Sequence, residues 1–271
     1  MIALASNRTL TPAPPQFNRI EELQQTISAT RLSCWLQCRL KFFFRYVQQI
    51  KKPPTAALHV GSVVHLILQA WNMARWKKQP FAVERFQPLF DTHWQDQPTQ
   101  IEWEDEPAEQ QQAWTRLQTY FAETPIQANE LPEAVEVPVE ADLSKYGLPK
   151  LRGVLDLVRA GGRIVDFKTS GKTPNREDVE HQNETQLSSY SVLYREATGK
   201  LESGRELHHL VKLKTPKVVI TCLHPMTENQ KVRLFKLMES YVEGLAREDF
   251  VPAPSFACAG CEFFNECRKW S

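Results

Sequence analysis

The spacing of apolar residues changes along the chain, and those changes divide it into elements. Residues 28–50 and 58–75 place apolar side chains every three or four positions, which predicts two helices separated at Pro53-Pro54. Residues 81–130, rich in Gln and Trp, predict a helical insertion set apart from the core. Residues 134–140 (AVEVPVE) alternate with period two. That predicts a strand with Val135, Val137 and Val139 on one face and Glu136 turned outward, to the surface in preference to the alternative that it reaches a metal or its waters. A helix carrying Gln186 and Tyr190, apolar strands over 207–213 and 218–223, and a helix over 227–247 follow. Residues 1–20, with three prolines and few large apolar side chains, predict a flexible tail ahead of one domain over 21–271.

The stretch LRGVLDLVRAGGRIVDFK, residues 151–168, carries the sharpest prediction. Two apolar runs flank Ala160-Gly161-Gly162, and a three-residue loop pairs Arg159 with Arg163 and sets Asp156 opposite Asp166. Strict alternation then gathers Leu155, Leu157, Val165 and Phe167 on one face. Asp156, Asp166 and Lys168 fall on the other, with Val154, Val158 and Ile164.

Two adjacent carboxylates repel unless a positive charge lies between them. Hard oxygen donors of this kind suit Mg²⁺ or Mn²⁺, and a lysine beside such an ion suits phosphodiester hydrolysis. Taken alone, the same pattern fits a solvated Asp/Lys strand edge equally well.

Gly61 and His65 stand four apart at the start of an apolar helix, and Gln186 and Tyr190 share a helix face further on. Gly61…His65, Gly153-Val154-Leu155-Asp156, Asp166-Phe167-Lys168 and Gln186…Tyr190, in this order, resemble the RecB-type branch of the PD-(D/E)XK nuclease superfamily. The resemblance implies that His65, Asp156, Asp166 and the Phe167 carbonyl hold Mg²⁺ or Mn²⁺. It further implies that Lys168 assists the attacking water and that Gln186 and Tyr190 position lysine, metal or DNA. The implied fold is α/β: a restriction-endonuclease-like core of short mixed β-sheet flanked by helices, with an N-terminal helical region and a C-terminal cysteine segment.

Six cysteines occur, at positions 34, 38, 222, 258, 261 and 267. No hydrophobic leader opens the sequence and no run reaches membrane-spanning length, so a reducing, cytoplasmic setting is expected, where clustered cysteines mean metal or redox chemistry more often than disulfides. Cys258, Cys261 and Cys267, within residues 252–271, supply three thiolates, and Cys38 or Cys34 a fourth. This arrangement is similar to that of RecB-type and CRISPR-adaptation nucleases, in which one N-terminal cysteine and a C-terminal trio hold a [4Fe–4S] cluster. Four thiolates also suit zinc. Cys222, in VVITCL, reads as a small buried hydrophobe.

The net charge of +1 marks no global polyanion binder. Locally, Arg31, Arg39, Lys41, Arg45, Lys51 and Lys52 are interleaved with Trp35, Phe42, Phe43, Phe44 and Tyr46. Such a stretch either serves DNA through phosphates and stacked bases or forms an amphipathic helix with an aromatic core face. The combined expectation is a metal-dependent exonuclease acting on single-stranded DNA. The rivals are a CRISPR-adaptation nuclease working with an integrase and an idle DNA-binding subunit of a helicase complex.

Overall fold

The computed structural model describes residues 16–97, 101–127 and 129–270, with side chains from residue 19 onward. Most of the expected tail lies outside the described residues. A helix, α1 (Gln16–Gln25), already occupies residues assigned to that tail.

Six strands form one mixed sheet: β1 (Thr26–Ser28), β2 (Ala134–Ala141), β3 (Lys150–Arg159), β4 (Arg163–Ser170), β5 (Gly204–Val211) and β6 (Lys217–Leu223). The β3–β4 hairpin has a three-residue loop and pairs Arg159 with Arg163, Val158 with Ile164 and Leu157 with Val165. Gly161 and Gly162 both take positive φ there, and a Cβ on Gly162 would meet the Tyr194 hydroxyl. Along one edge β3 pairs with β2, while its other edge is shared. β1 covers residues 150–152 in parallel and β4 covers 157–159, so residues 153–156 have no strand neighbour on that side among the described residues. The helix α7 (Arg176–Thr198) connects β4 to its parallel neighbour β5.

Helices cover both faces. On one, α1, α2 (Ala29–Gln37), α7 and α8 (Glu228–Ala246) pack over Leu151, Leu155, Val158 and Ile164. On the other, α4 (Ala56–Trp76), α5 (Gln87–Gln95) and α6 (Glu106–Glu123) pack over Val135, Leu157, Val165, Phe167 and Leu210. The 81–130 segment is therefore a full layer rather than an appendage, because Phe90, Trp94, Trp114, Leu117 and Tyr120 bury against the sheet and α4.

The expected 28–50 helix breaks at Cys38, whose backbone is extended (φ −165, ψ 115). No proline or glycine causes this. The Cys38 Sγ accepts the Lys41 N–H and so caps a new short helix, α3 (Arg39–Phe42), which runs into a π-turn over residues 43–47. Leu40 N–H bonds to the Val251 carbonyl at 3.1 Å, tying this corner to the C-terminal segment.

One buried charge network holds the hairpin end. Glu206 on β5, 2% exposed, meets Arg159 and Arg163, each at 3.0 Å, and His208 at 2.9 Å. Burial alone would raise its pKa, but the bond from His208 and the two guanidinium groups overcome this and hold it down at about 2.

Candidate active site

Regular alternation fails at one step, and that step builds the site. The β2–β3 register pairs Ala134 with Val158 and Val135 with Leu157, then resumes at Val137 with Leu155, leaving Glu136 and Asp156 outside the ladder. Glu136 has φ +48, a left-handed conformation that a non-glycine residue adopts at a cost. Both strands roll over here. Val135 and Leu157 pack on the α4 side, whereas Val139 and Leu155 pack on the α7 side. The single-face expectations for Val135 with Val139, and for Leu155 with Leu157, are thereby corrected.

The roll brings Glu136 inward. Its carboxylate, that of Asp156 and the His65 imidazole place one donor atom each within 4.8 Å of one another. Among the described residues, no other set of three His, Cys, Asp or Glu does so. Asp156 Oδ2 lies 3.5 Å from His65 Nδ1 and accepts the Phe167 N–H at 3.1 Å, where the β3–β4 ladder has ended. The His65 ring meets Phe167 edge-on at 6.3 Å. Glu136 is pushed up to about 7, first by burial and then by the Asp156 charge.

Asp166 falls outside that trio and inside a second network. Lys168 Nζ is 2.8 Å from Asp166 Oδ2 and donates to Gln186 Oε1 at 2.7 Å. Gln186 Nε2 donates to Asp166 Oδ1 at 2.8 Å and to the Tyr190 hydroxyl at 2.9 Å. Asp166 is 1% exposed, and burial raises its pKa against the pull of Lys168. Despite the nearby ammonium, Asp166 Oδ2 accepts no directed hydrogen bond. Gly153 sits under this network because a Cβ there would strike Leu193 and approach Tyr190. Glu136 is the residue for which the sequence favoured the surface and held the metal site as the alternative; the structure turns it toward His65 and Asp156. Its one signal was a glutamate opposite Asp156, two residues from a proline, in an otherwise apolar strand.

Two carboxylates and an imidazole converging in a half-buried gap make a donor set suited to a hard divalent cation. Asp166 Oδ2, buried and held by the Lys168 ammonium, is a further carboxylate oxygen in the adjoining network. The residues present fit such an ion.

The pattern of the PD-(D/E)XK nuclease superfamily matches residues 26–268. The chain belongs to that superfamily. Among solved structures, this nuclease is similar to a protein named "Putative exonuclease" from Eubacterium rectale, at 15% identity and TM-score 0.63, covering 97% of this chain and 94% of that one. The structure of SSO0001 is matched at 14% identity and TM-score 0.43, covering 93% of each chain. The first likeness is one of fold. No curated protein sequence matches the chain.

The remaining candidates divide. Cys38, Cys258, Cys261 and Cys267 line one apolar cavity with Phe44 and Phe263. Lys41 N–H donates to Cys38 Sγ at 3.5 Å, and Ser255 N–H to Cys258 Sγ at 3.4 Å. Cys34 lies away from that cavity in the α7–α8 core beside Trp35, where burial pushes its thiol up to about 11. Cys222 is exposed rather than buried, because β6 is an edge strand and its residue 222 faces outward. Trp35, Phe42 and Phe44 are core residues, and four basic residues of this stretch pair with acids of the C-terminal part. Arg39 meets Asp249, Lys41 and Arg45 meet Glu262, and Lys52 meets Glu266. Among the described residues no helix is long and apolar enough to cross a membrane.

Proposed function

We propose that this nuclease is a divalent-metal-dependent exonuclease acting on single-stranded DNA, with a structural [4Fe–4S] cluster joining its two ends. The convergence of His65, Glu136 and Asp156 beside the Lys168–Gln186–Asp166 network carries the catalytic reading. His65, Asp156 and Asp166 would hold Mg²⁺ or Mn²⁺, with the Phe167 carbonyl and with Glu136 as an added ligand. Such an ion supplies charge neutralisation at the phosphate and lowers the pKa of a water. Lys168 stands where its ammonium can orient a water toward the phosphate and balance the charge developing there. Gln186 holds that ammonium against Asp166, and Tyr190 fixes the amide in turn. Preference for single strands and for ends rests on the resemblance to the RecB-type branch.

For the cysteines, the common cavity lined by Cys38, Cys258, Cys261 and Cys267 supports one four-thiolate centre. The resemblance to RecB-type and CRISPR-adaptation nucleases favours a cluster there, with zinc the alternative. The N–H groups of Lys41 and Ser255 already point at sulfur, as thiolate ligands require. Cys38 is the fourth ligand in this reading, and Cys34 is not.

Linear single strands labelled at the 5′ or the 3′ end, and a circular single strand, test the activity with Mg²⁺ or Mn²⁺. Stepwise shortening of linear DNA with the circle intact is expected. Cutting of the circle would refute the exonuclease reading, and no cutting of any DNA by metal-loaded protein would refute the catalytic one.

A further inference from the structure

An open cavity of about 460 Å³ lies beside the candidate active site, between the start of α4, the end of β4 and α6. Thr169, the residue after Lys168, is on its wall, and its Oγ1 would lie 3.5 Å from a Cβ on Gly61, one turn before His65. Thr169 and Phe167 point to the same side of β4, about 7 Å apart by strand rise. The cavity thus opens one strand step from the metal ligands.

Its lining carries both donors and three glutamates. The first turn of α4 contributes Ala56 and Ala57, whose N–H groups have no intrahelical acceptor, while Thr55 Oγ1 takes the next one, Leu58 N–H. Arg116 on α6 lines the cavity, is 4% exposed, and makes one hydrogen bond, from Nε to the Gln112 carbonyl. Its Nη2 is buried without a partner, and no carboxylate among the described residues forms an ion pair with it. Trp103 Nε1, on the same wall, is buried and unpartnered too. Glu109 is occupied by Lys212, while Glu102 and Glu104 are exposed at the rim. A guanidinium withdrawn from water, whose nearest compensating charge is a Glu109 carboxylate already paired with Lys212, is costly to maintain, and a positive helix end beside it adds to that field. An anion relieves both.

We propose that this cavity is a phosphate subsite, in which Arg116 and the N–H groups of Ala56 and Ala57 hold a phosphate of the substrate strand next to the bond being cut. The assignment deepens the nuclease reading and rests on it for the identity of the ligand. The phosphate is either an internal diester or the terminal monoester of a processed end.

The test measures binding apart from cleavage, using Lys168→Ala protein without metal and fluorescent single strands ending in 5′-phosphate, 5′-hydroxyl or 3′-phosphate. Two further substitutions are introduced singly. Arg116→Met removes the charge. Ala57→Glu puts a carboxylate into the cavity at an exposed helix N-terminal position, where it favours the helix, so its fold is secure even if Arg116→Met fails to fold. Each is expected to weaken binding on the order of tenfold. Each should also reduce the slope of log affinity against log salt by about 0.7, the value for one single-strand phosphate. An equal loss on all three strands identifies an internal phosphate. A loss confined to one phosphorylated end identifies a terminal one. Affinity and salt slope unchanged in folded Ala57→Glu protein would overturn the proposal. Wild-type cleavage, run in parallel, reports separately on the nuclease reading.

Discussion

Glu136 offers a quantitative test because the fold holds its carboxylate at a cost that a metal would reverse. Burial and the Asp156 charge push its pKa from the ordinary range near 4.5 up to about 7. Below pH 4.5 the group is protonated in folded and unfolded chains alike and costs nothing. As pH rises from 4.5 to 7 the unfolded chain ionises first, so folded-state stability falls, and above 7 the full cost is present. At about 1.4 kcal/mol per pH unit of displacement the cost is at most about 3 kcal/mol, and solvent reaching this half-buried group reduces it to about 2 kcal/mol. Glu136→Gln keeps the shape and removes the charge. In EDTA at pH 8 its melting temperature should exceed wild type by about 4–8 °C, from the 2–4 °C per kcal/mol typical of domains near this size. The difference should vanish near pH 4.5. Mn²⁺ at a hundred times its dissociation constant should then stabilise wild type by about 2.7 kcal/mol, and the variant by less, which narrows or closes the gap. Differential scanning calorimetry across pH 4.5–8, with EDTA or Mn²⁺, reads all three. Equal melting temperatures at pH 8 in EDTA, or equal gains from Mn²⁺, would refute the placement of Glu136 at the ion.

Asp156→Ala and Lys168→Ala should each lower the cleavage rate by about 10²–10⁴-fold, with circular dichroism unchanged; undiminished rates would remove them from the chemistry. Cys38→Ser should abolish the brown absorption of anaerobically prepared protein while Cys34→Ser keeps it, and colourless wild-type protein with stoichiometric zinc would reverse the metal assignment. Glu206→Gln should destabilise the fold by about 3–5 kcal/mol in urea titrations, since Arg159 and Arg163 lose a buried partner. The ionised Glu206 contributes its stability above pH 4.5 and loses it as pH falls toward 2, so the wild-type advantage should shrink across that window.

The hairpin register over Leu157–Arg159 was legible because two glycines at positive φ mark the loop, and a three-residue loop fixes which residues face each other; the ladder ends before the expected Asp156–Asp166 pair. The helices around His65 and Gln186 were legible from period and spacing. The roll of β2 and β3 at Glu136 and Asp156 was not, because alternation assumes regular pleating and no glycine marks the left-handed residue. The same limit hid the break at Cys38, which is made by a sulfur acting as a helix cap rather than by proline or glycine. The 81–130 segment was misplaced for a different reason. It read as a Gln- and Trp-rich insertion from composition, while one buried aromatic stripe decided its packing.

The corner at Cys38 also sets a timetable. Its partners, Val251, Asp249, Glu262 and the thiols from Cys258 to Cys267, are made more than two hundred residues later. At 5–20 residues per second, a ribosome leaves Phe42, Phe44 and the Cys38 thiol without these neighbours for on the order of 10–40 seconds. Nucleation of this corner must therefore await synthesis of residues 249–267, and a chain truncated before residue 258 should display that aromatic, sulfur-bearing surface to chaperones and oxidants alike.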